Sequence, residues 1–121
     1  MRSDDTQIST GSLLDAWTQH DWTNGIQIDE LPELEWLSVR TRNSTYQIVI
    51  TAPVNGEILV RGGARFPAFT PARLCGSSAG GSVLKRFGVY PGFRMEFELE
   101  GRRIITSPIV SVRLDPPASP H

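Results

Sequence analysis

The stretch Phe93-Arg94-Met95-Glu96-Phe97-Glu98-Leu99 decides the fold. Its apolar residues recur at every second position, which is the period of a half-buried strand. Phe93, Met95, Phe97 and Leu99 are expected inside, with Arg94, Glu96 and Glu98 outside. Glu100-Gly101 is a turn dipeptide, so residues 102–106 should return antiparallel. That pairing sets Phe97 against Ile104 on the inner face and Glu98 against Arg103 on the outer face. Pro108 then interrupts, and residues 109–114 read as a closing strand.

The same period runs upstream. Residues 35–42 and 46–52 are candidate strands joined by a tight turn at Asn43-Ser44. Residues 58–61 form the next strand. Pairing Ala52 with Ile58 and Ile50 with Val60 keeps apolar residues together, and puts Val54-Asn55-Gly56 at the hairpin tip with Gly56 at positive φ. The intervening residues 62–92 are rich in Gly, Pro and Ser. Residues 66–74 suit an edge strand because of Pro67 and Pro71, and 83–87 a second short strand. The triplet Ser-Val-Arg occurs at 38–40 and again at 111–113, too short to count as a repeat.

Before residue 35 the pattern is different. Residues 12–22 read as a helix, with Ser12 and Asp15 close to a capping box and Leu13, Leu14 and Trp17 at helical spacing. Asn24-Gly25 should end it. Residues 26–35 are an acidic arm containing Pro32, expected to lie extended over the body. The expected fold class is therefore all-β: a mainly antiparallel small barrel or sandwich of six to seven strands, with one N-terminal helix. The organisation is a flexible N-terminus (1–11), a single domain (12–114, with its β-barrel at 36–114) and a Pro-rich tail (115–121). The expected core comprises Trp36, Val39, Ile48, Ile50, Ile58, Val60, Met95, Phe97, Ile104 and Val112.

Three segments, Val39-Arg40-Thr41-Arg42-Asn43-Ser44-Thr45-Tyr46, Val60-Arg61-Gly62-Gly63, and Gly101 through Thr106-Ser107-Pro108-Ile109, resemble short bacterial β proteins with no known activity. The resemblance covers residues 37–114. It rests on turn and strand motifs and implies no functional residue.

Charge is segregated along the chain. Through Trp36 there are eight acids and one base; from Leu37 there are eleven bases and five acids. Eleven of the twelve bases are arginine. No stretch approaches the roughly 20 apolar residues of a membrane span, the N-terminus lacks an apolar run, and a cytoplasmic, non-membrane protein is expected. Cys75 is the single cysteine, so neither an internal disulfide nor a Cys-based zinc site is expected.

Strand-borne arginines and neighbouring bases make the candidate binding set: Arg40, Arg42, Arg61, Arg65, Arg73, Lys85, Arg86 and Arg94. The glycine-serine stretch Gly76, Ser77, Ser78, Gly80, Gly81 and Ser82 is a candidate anion loop, because glycines let backbone N–H groups converge on an anion. It is not a P-loop, which needs Gly-Lys-Ser/Thr opening a helix. Cys75 with His20 is one Cys and one His with no motif around either, and Ser77 and Ser78 lack a Gly-x-Ser-x-Gly elbow. No catalytic, cofactor-binding or metal residue is assigned, and no cofactor is expected. The leading expectation is a non-catalytic protein-binding or regulatory module using the loops of 62–92, as a monomer or weak homodimer. The alternative is anion or nucleic-acid binding through the arginines. An enzyme of unknown reaction is a third reading without a motif behind it.

Overall fold

Alternation from Trp36 onward is what the chain converts into sheet. The computed structural model describes residues 24–79 and 83–115. The expected helix at 12–22, the N-terminus at 1–11 and residues 116–121 lie outside the described residues. The strands are β1 (Ile26–Gln27), β2 (Trp36–Thr41), β3 (Thr45–Ala52), β4 (Glu57–Gly62), β5 (Phe66–Ser78), β6 (Leu84–Arg86), β7 (Gly88–Val89), β8 (Arg94–Leu99) and β9 (Arg102–Asp115). Single 3-10 turns occupy Ile28–Glu30 and Pro53–Asn55.

Six strands form an antiparallel ring in the order β4-β3-β2-β9-β8-β5, and pairing of β4 with β5 closes it. Two long strands make the closure possible. β5 pairs with β4 over its first half and with β8 over its second, while β6 continues on the side that β4 vacates. β9 pairs with β8 first and then with β2. Bulges interrupt the ladders where these strands change partners, which bends the sheet enough to close.

The described residues of 62–92 are thus mostly strand rather than a set of long loops, and the edge strand expected at 66–74 is the first part of the longer β5, which pairs with β4 alone until Arg73 and Leu74, where β8 joins on the other side. The prolines of β5 are tolerated for a local reason. Pro67 and Pro71 fall in the half of β5 that pairs with β4 alone, where a missing N–H can face the unpaired side.

Inside the ring, Leu37, Val39, Ile48, Ile50, Ile58, Val60, Phe66, Leu74, Met95 and Phe97 are fully or almost fully buried. Each such side chain contributes about 1.5–3 kcal/mol by leaving water. Phe97 meets Phe66 edge-on, with ring centres 5.5 Å apart. The acidic arm enters this core instead of lying over it. Ile28 is completely buried, donates its N–H to the Phe87 carbonyl at 2.9 Å, and joins Val89 where β1 pairs with β7. Asp29, Glu30 and Glu33 stay exposed. The arm is therefore held by its apolar residues, and among the described residues no ion pair involves its acids.

Two expectations are corrected on the strands. Trp36 lies outside and is 37% exposed, because Leu37, Val39 and Thr41 take the inner face of β2 and parity turns position 36 outward. Val112 is only half-buried, packed at the margin of the core. In the β3–β4 hairpin Ile50 pairs with Ile58 and Ile48 with Val60. The register differs by two from the one expected. A bulge between Ile50 and Ala52 and the turn at Pro53–Asn55 take up the extra residues, with Gly56 at φ 72 closing it. A shift of two leaves every side chain on its expected face. The β8–β9 pairs Phe97–Ile104 and Glu98–Arg103 are those the alternation implied. Finally, Asp115 belongs to β9 and not to a tail.

The β8–β9 turn has φ 52 at Glu100 and φ 79 at Gly101, a two-residue turn that favours Asn-Gly. Glu100→Asn should raise stability by about 0.5 kcal/mol in urea unfolding, since Asn tolerates positive φ better than Glu. Leu37→Ala should cost about 2–5 kcal/mol, whereas Trp36→Ala, losing an exposed ring, should cost clearly less in the same measurement. An equal loss for both would contradict the assigned faces.

Candidate functional site

The outward positions of β9, β2, β3, β4 and β5 form one continuous face, and register dictates its rows. Leu59, Val49, Trp36 and Asp115 stand side by side in one row. Arg61, Gln47, Ser38 and Arg113 form the next, and Thr45, Arg40 and Ser111 the third. Phe69 of β5 completes the apolar edge, its ring 5.7 Å from that of Trp36 and nearly perpendicular to it. The Arg61 guanidinium lies 4.5 Å above the centre of the Phe69 ring and also donates to the Gln47 side chain. Val49, although outward, is only 6% exposed within this cluster. The face thus sets a Trp-Phe ridge beside rows of arginine and hydroxyl groups.

At the edge of the same face the Ser38 hydroxyl donates to Asp115 Oδ2 at 2.5 Å, and Arg113 Nε donates to Asp115 Oδ1 at 3.0 Å. The hydrogen bond from Ser38, aided by Arg113, holds the Asp115 carboxyl below the usual aspartate range despite some burial. Arg40, Arg42 and Arg61 are exposed, and among the described residues no ion pair reaches them.

The opposite side of the barrel is built differently. Arg73 of β5 pairs with Glu98 of β8, and Arg103 of β9 pairs with Glu96. Glu96 points outward as its parity requires, yet it is buried, which corrects the expectation of an exposed carboxylate. The Ser78 hydroxyl and the Arg103 guanidinium supply its hydrogen bonds, as a buried charge requires. Arg73, Cys75, Leu84, Arg86, Phe87 and Arg103 line a small hollow of about 190 Å³. Burial pushes the Cys75 thiol up, against the pull of Arg103 and Arg73. The thiol form is therefore favoured at neutral pH, and it is a poor nucleophile.

The nominated residues consequently separate. Arg40 and Arg61 share the first face; Arg73 and Arg86 line the Cys75 hollow. Arg65 lies exposed in the β4–β5 turn and Arg42 in the β2–β3 turn, while Lys85 is half-buried on β6. Arg94 donates to the Thr106 carbonyl at 3.3 Å. Gly76, Ser77 and Ser78 are strand, not loop. The Ser77 hydroxyl donates to the Gly88 carbonyl at 2.6 Å and that of Ser78 to Glu96, so both bond inside the protein, and a carboxylate beside Ser78 repels an anion. Gly80, Gly81, Ser82 and His20 lie outside the described residues. Asn43 and Ser107 act structurally, the Asn43 N–H donating to Ser107 Oγ at 3.0 Å.

Sequence reasoning missed Trp36, Gln47, Ser38, Ser111 and Arg113. The signal for three of these was the Ser-Val-Arg triplet, whose two copies turn out to be paired neighbours: Ser38 with Arg113, Val39 with Val112, and Arg40 with Ser111. Among the described residues no three His, Cys, Asp or Glu side chains are grouped as metal ligands, and no helix is long and apolar enough to cross a membrane. No family model, curated protein or solved structure matches the chain.

The depressed Asp115 carboxyl makes an acid-stability prediction. Its contribution is complete above the unfolded value near 3.9 and is lost as pH falls through the lower folded value. Asp115→Asn should reduce stability at pH 7 by about 0.5–1.5 kcal/mol, and the difference in thermal unfolding between variant and wild type should shrink as pH falls below the unfolded value. A constant difference down to pH 2 would remove the carboxylate from this role.

Proposed function

We propose that the protein is a non-catalytic binding domain that recognises a protein partner with an acidic surface, and that the partner docks on the face of Trp36, Phe69, Arg61, Arg40 and Arg113. The single observation that carries this reading is the outward, half-exposed Trp36 held edge-on by Phe69 beneath Arg61. Trp and Arg are the residue types that dominate interface energetics when they sit together in a packed patch. An indole exposed beside a guanidinium that has no acidic partner among the described residues adds little to the core, so its place on the outer wall needs a reason. Arginines without acidic partners on this face favour an acidic counterpart and raise its rate of encounter.

The alternative is single-stranded nucleic acid, which binds through stacked aromatics and a positive groove. The perpendicular Trp36–Phe69 geometry disfavours it, because the two rings do not offer parallel platforms to successive bases.

The test compares proteins captured by the immobilised full-length chain with those captured by Trp36→Ser/Arg61→Ser and by Arg73→Ser, a change on the opposite side. We expect a specific protein retained by wild type and Arg73→Ser and depleted about 30-fold by the double variant, the equivalent of ~2 kcal/mol. The double variant should keep the wild-type circular dichroism. Identical capture by all three would overturn the reading. So would binding of a fluorescent oligonucleotide whose affinity falls steeply with salt and depends on Trp36.

A further inference from the structure

Antiparallel pairing of two identical triplets creates a local two-fold axis. Ser38 lies beside Arg113, and Arg40 lies beside Ser111, about the central pair Val39–Val112. Val39 faces the core, so the serines and arginines on either side of that pair point outward. Together with Thr45, which pairs with Arg40 from β3, they line a hollow of about 340 Å³. The hollow therefore holds two copies of one arrangement: a serine hydroxyl beside an arginine from the neighbouring strand.

One copy is filled by the chain itself. The Asp115 carboxylate takes the Ser38 hydroxyl on one oxygen and Arg113 Nε on the other. The lowering of its carboxyl shows that this pair stabilises a negative charge. The other copy has the same donors without the acid. Asp115 stands two residues beyond Arg113; two residues beyond Arg40 stands Arg42, an exposed base. Among the described residues no ion pair reaches Arg40. The symmetry breaks at the one residue that would have closed both halves.

We infer that the Arg40–Ser111 half is a carboxylate-binding site and that it takes a Glu or Asp side chain of the protein partner. The choice of a carboxylate follows from Asp115, whose two oxygens satisfy the two donors one for one. A phosphate would bring a second charge and further oxygens to a half whose part of the hollow is lined by one guanidinium, Arg40, and neutral hydroxyl groups. Thr45 adds a hydroxyl on the far side of Arg40 and shapes the wall of the hollow. The site rests on the protein-binding reading for the source of its carboxylate, not for its chemistry.

The experiment uses the full chain, isotope-labelled, with sodium acetate as the first probe and a fluorescein-labelled octaglutamate peptide as the second, octaglutamine serving as its neutral control. Acetate should shift the Arg40 Nε–Hε and Ser111 amide resonances. Arg40→Gln should abolish the Ser111 shift and weaken octaglutamate binding about tenfold, the loss of one charge-assisted hydrogen bond. Asp115→Ala should vacate the first copy, so that acetate also shifts Arg113, and should tighten octaglutamate binding. Glu100→Ala makes the same change in charge at the distant β8–β9 turn and should not reproduce that effect. The proposal is overturned if Arg40→Gln titrates like wild type, or if Asp115→Ala and Glu100→Ala behave alike. Acetate bound at Arg40 with octaglutamate no tighter than octaglutamine would keep the site and remove the protein-partner reading. Octaglutamate bound tightly with Arg40→Gln unaffected would do the reverse.

Discussion

Closure of the ring through β4 and β5 is the constraint from which the rest follows. A closed ring has an inside and an outside at every position, so each strand must honour one parity along its length. Apolar side chains fill the interior to complete burial, and whatever alternates with them is committed to the outer wall. This is why the arginines are displayed: they occupy the positions between core residues on β2, β4, β5, β8 and β9. It is also why Trp36 is displayed, since Leu37 and Val39 cannot give up the inner face to it. Closure further leaves little free strand edge, so recognition has to pass through side chains on the wall rather than through an added strand.

The wall is not uniform, and the difference is electrostatic. On the β5–β8–β9 side acids and bases alternate in register, and Arg73, Glu98, Arg103 and Glu96 neutralise one another. The exposed Arg73–Glu98 pair contributes little to stability, whereas Arg103 satisfies the buried Glu96. The effect of both is to remove unbalanced charge from that side. In the rows of β2, β3 and β4 around Trp36 and Arg40 the acids are missing, and hydroxyl groups, an amide and arginines take their place beside an aromatic ridge; Glu57 stands at the far end of β4, opposite Arg73 of β5. Asp115 of β9 is the exception, and it shows what this surface does with a carboxylate: Ser38 of β2 holds one oxygen and Arg113 of its own strand the other.

The acidic arm is anchored by an apolar residue: Ile28 is completely buried in the core cluster that includes Val89, and Asp29 and Glu30 remain in water. Burial of one isoleucine is worth more than several exposed ion pairs. The positive surface on β2 to β4 is therefore left without a counterpart among the described residues.

By itself the sequence determined which residues alternate, and so which side chains share a face. The β8–β9 pairs could be read directly, because a two-residue turn leaves a single register that joins Phe97 to Ile104 and Glu98 to Arg103. The β3–β4 register slipped by two because a bulge near Ala52 has no sequence code, although the faces survived the slip. Pro67 and Pro71 marked a one-sided strand, and that half of β5 does pair with β4 alone; what a local rule could not know is that the strand runs on to Ser78 with β8 as a second neighbour. Which strands become neighbours was decided only by the tertiary structure. Ser38 and Arg113 are 75 residues apart in the chain, and nothing local brings them together. The long strands β5 and β9, each bent to serve two partners, close the ring, place one Ser-Val-Arg against the other, and turn two unremarkable triplets into a pair of carboxylate holders. Non-local pairing of this kind is paid for by burial of the whole core, a property of the closed barrel and of no single segment.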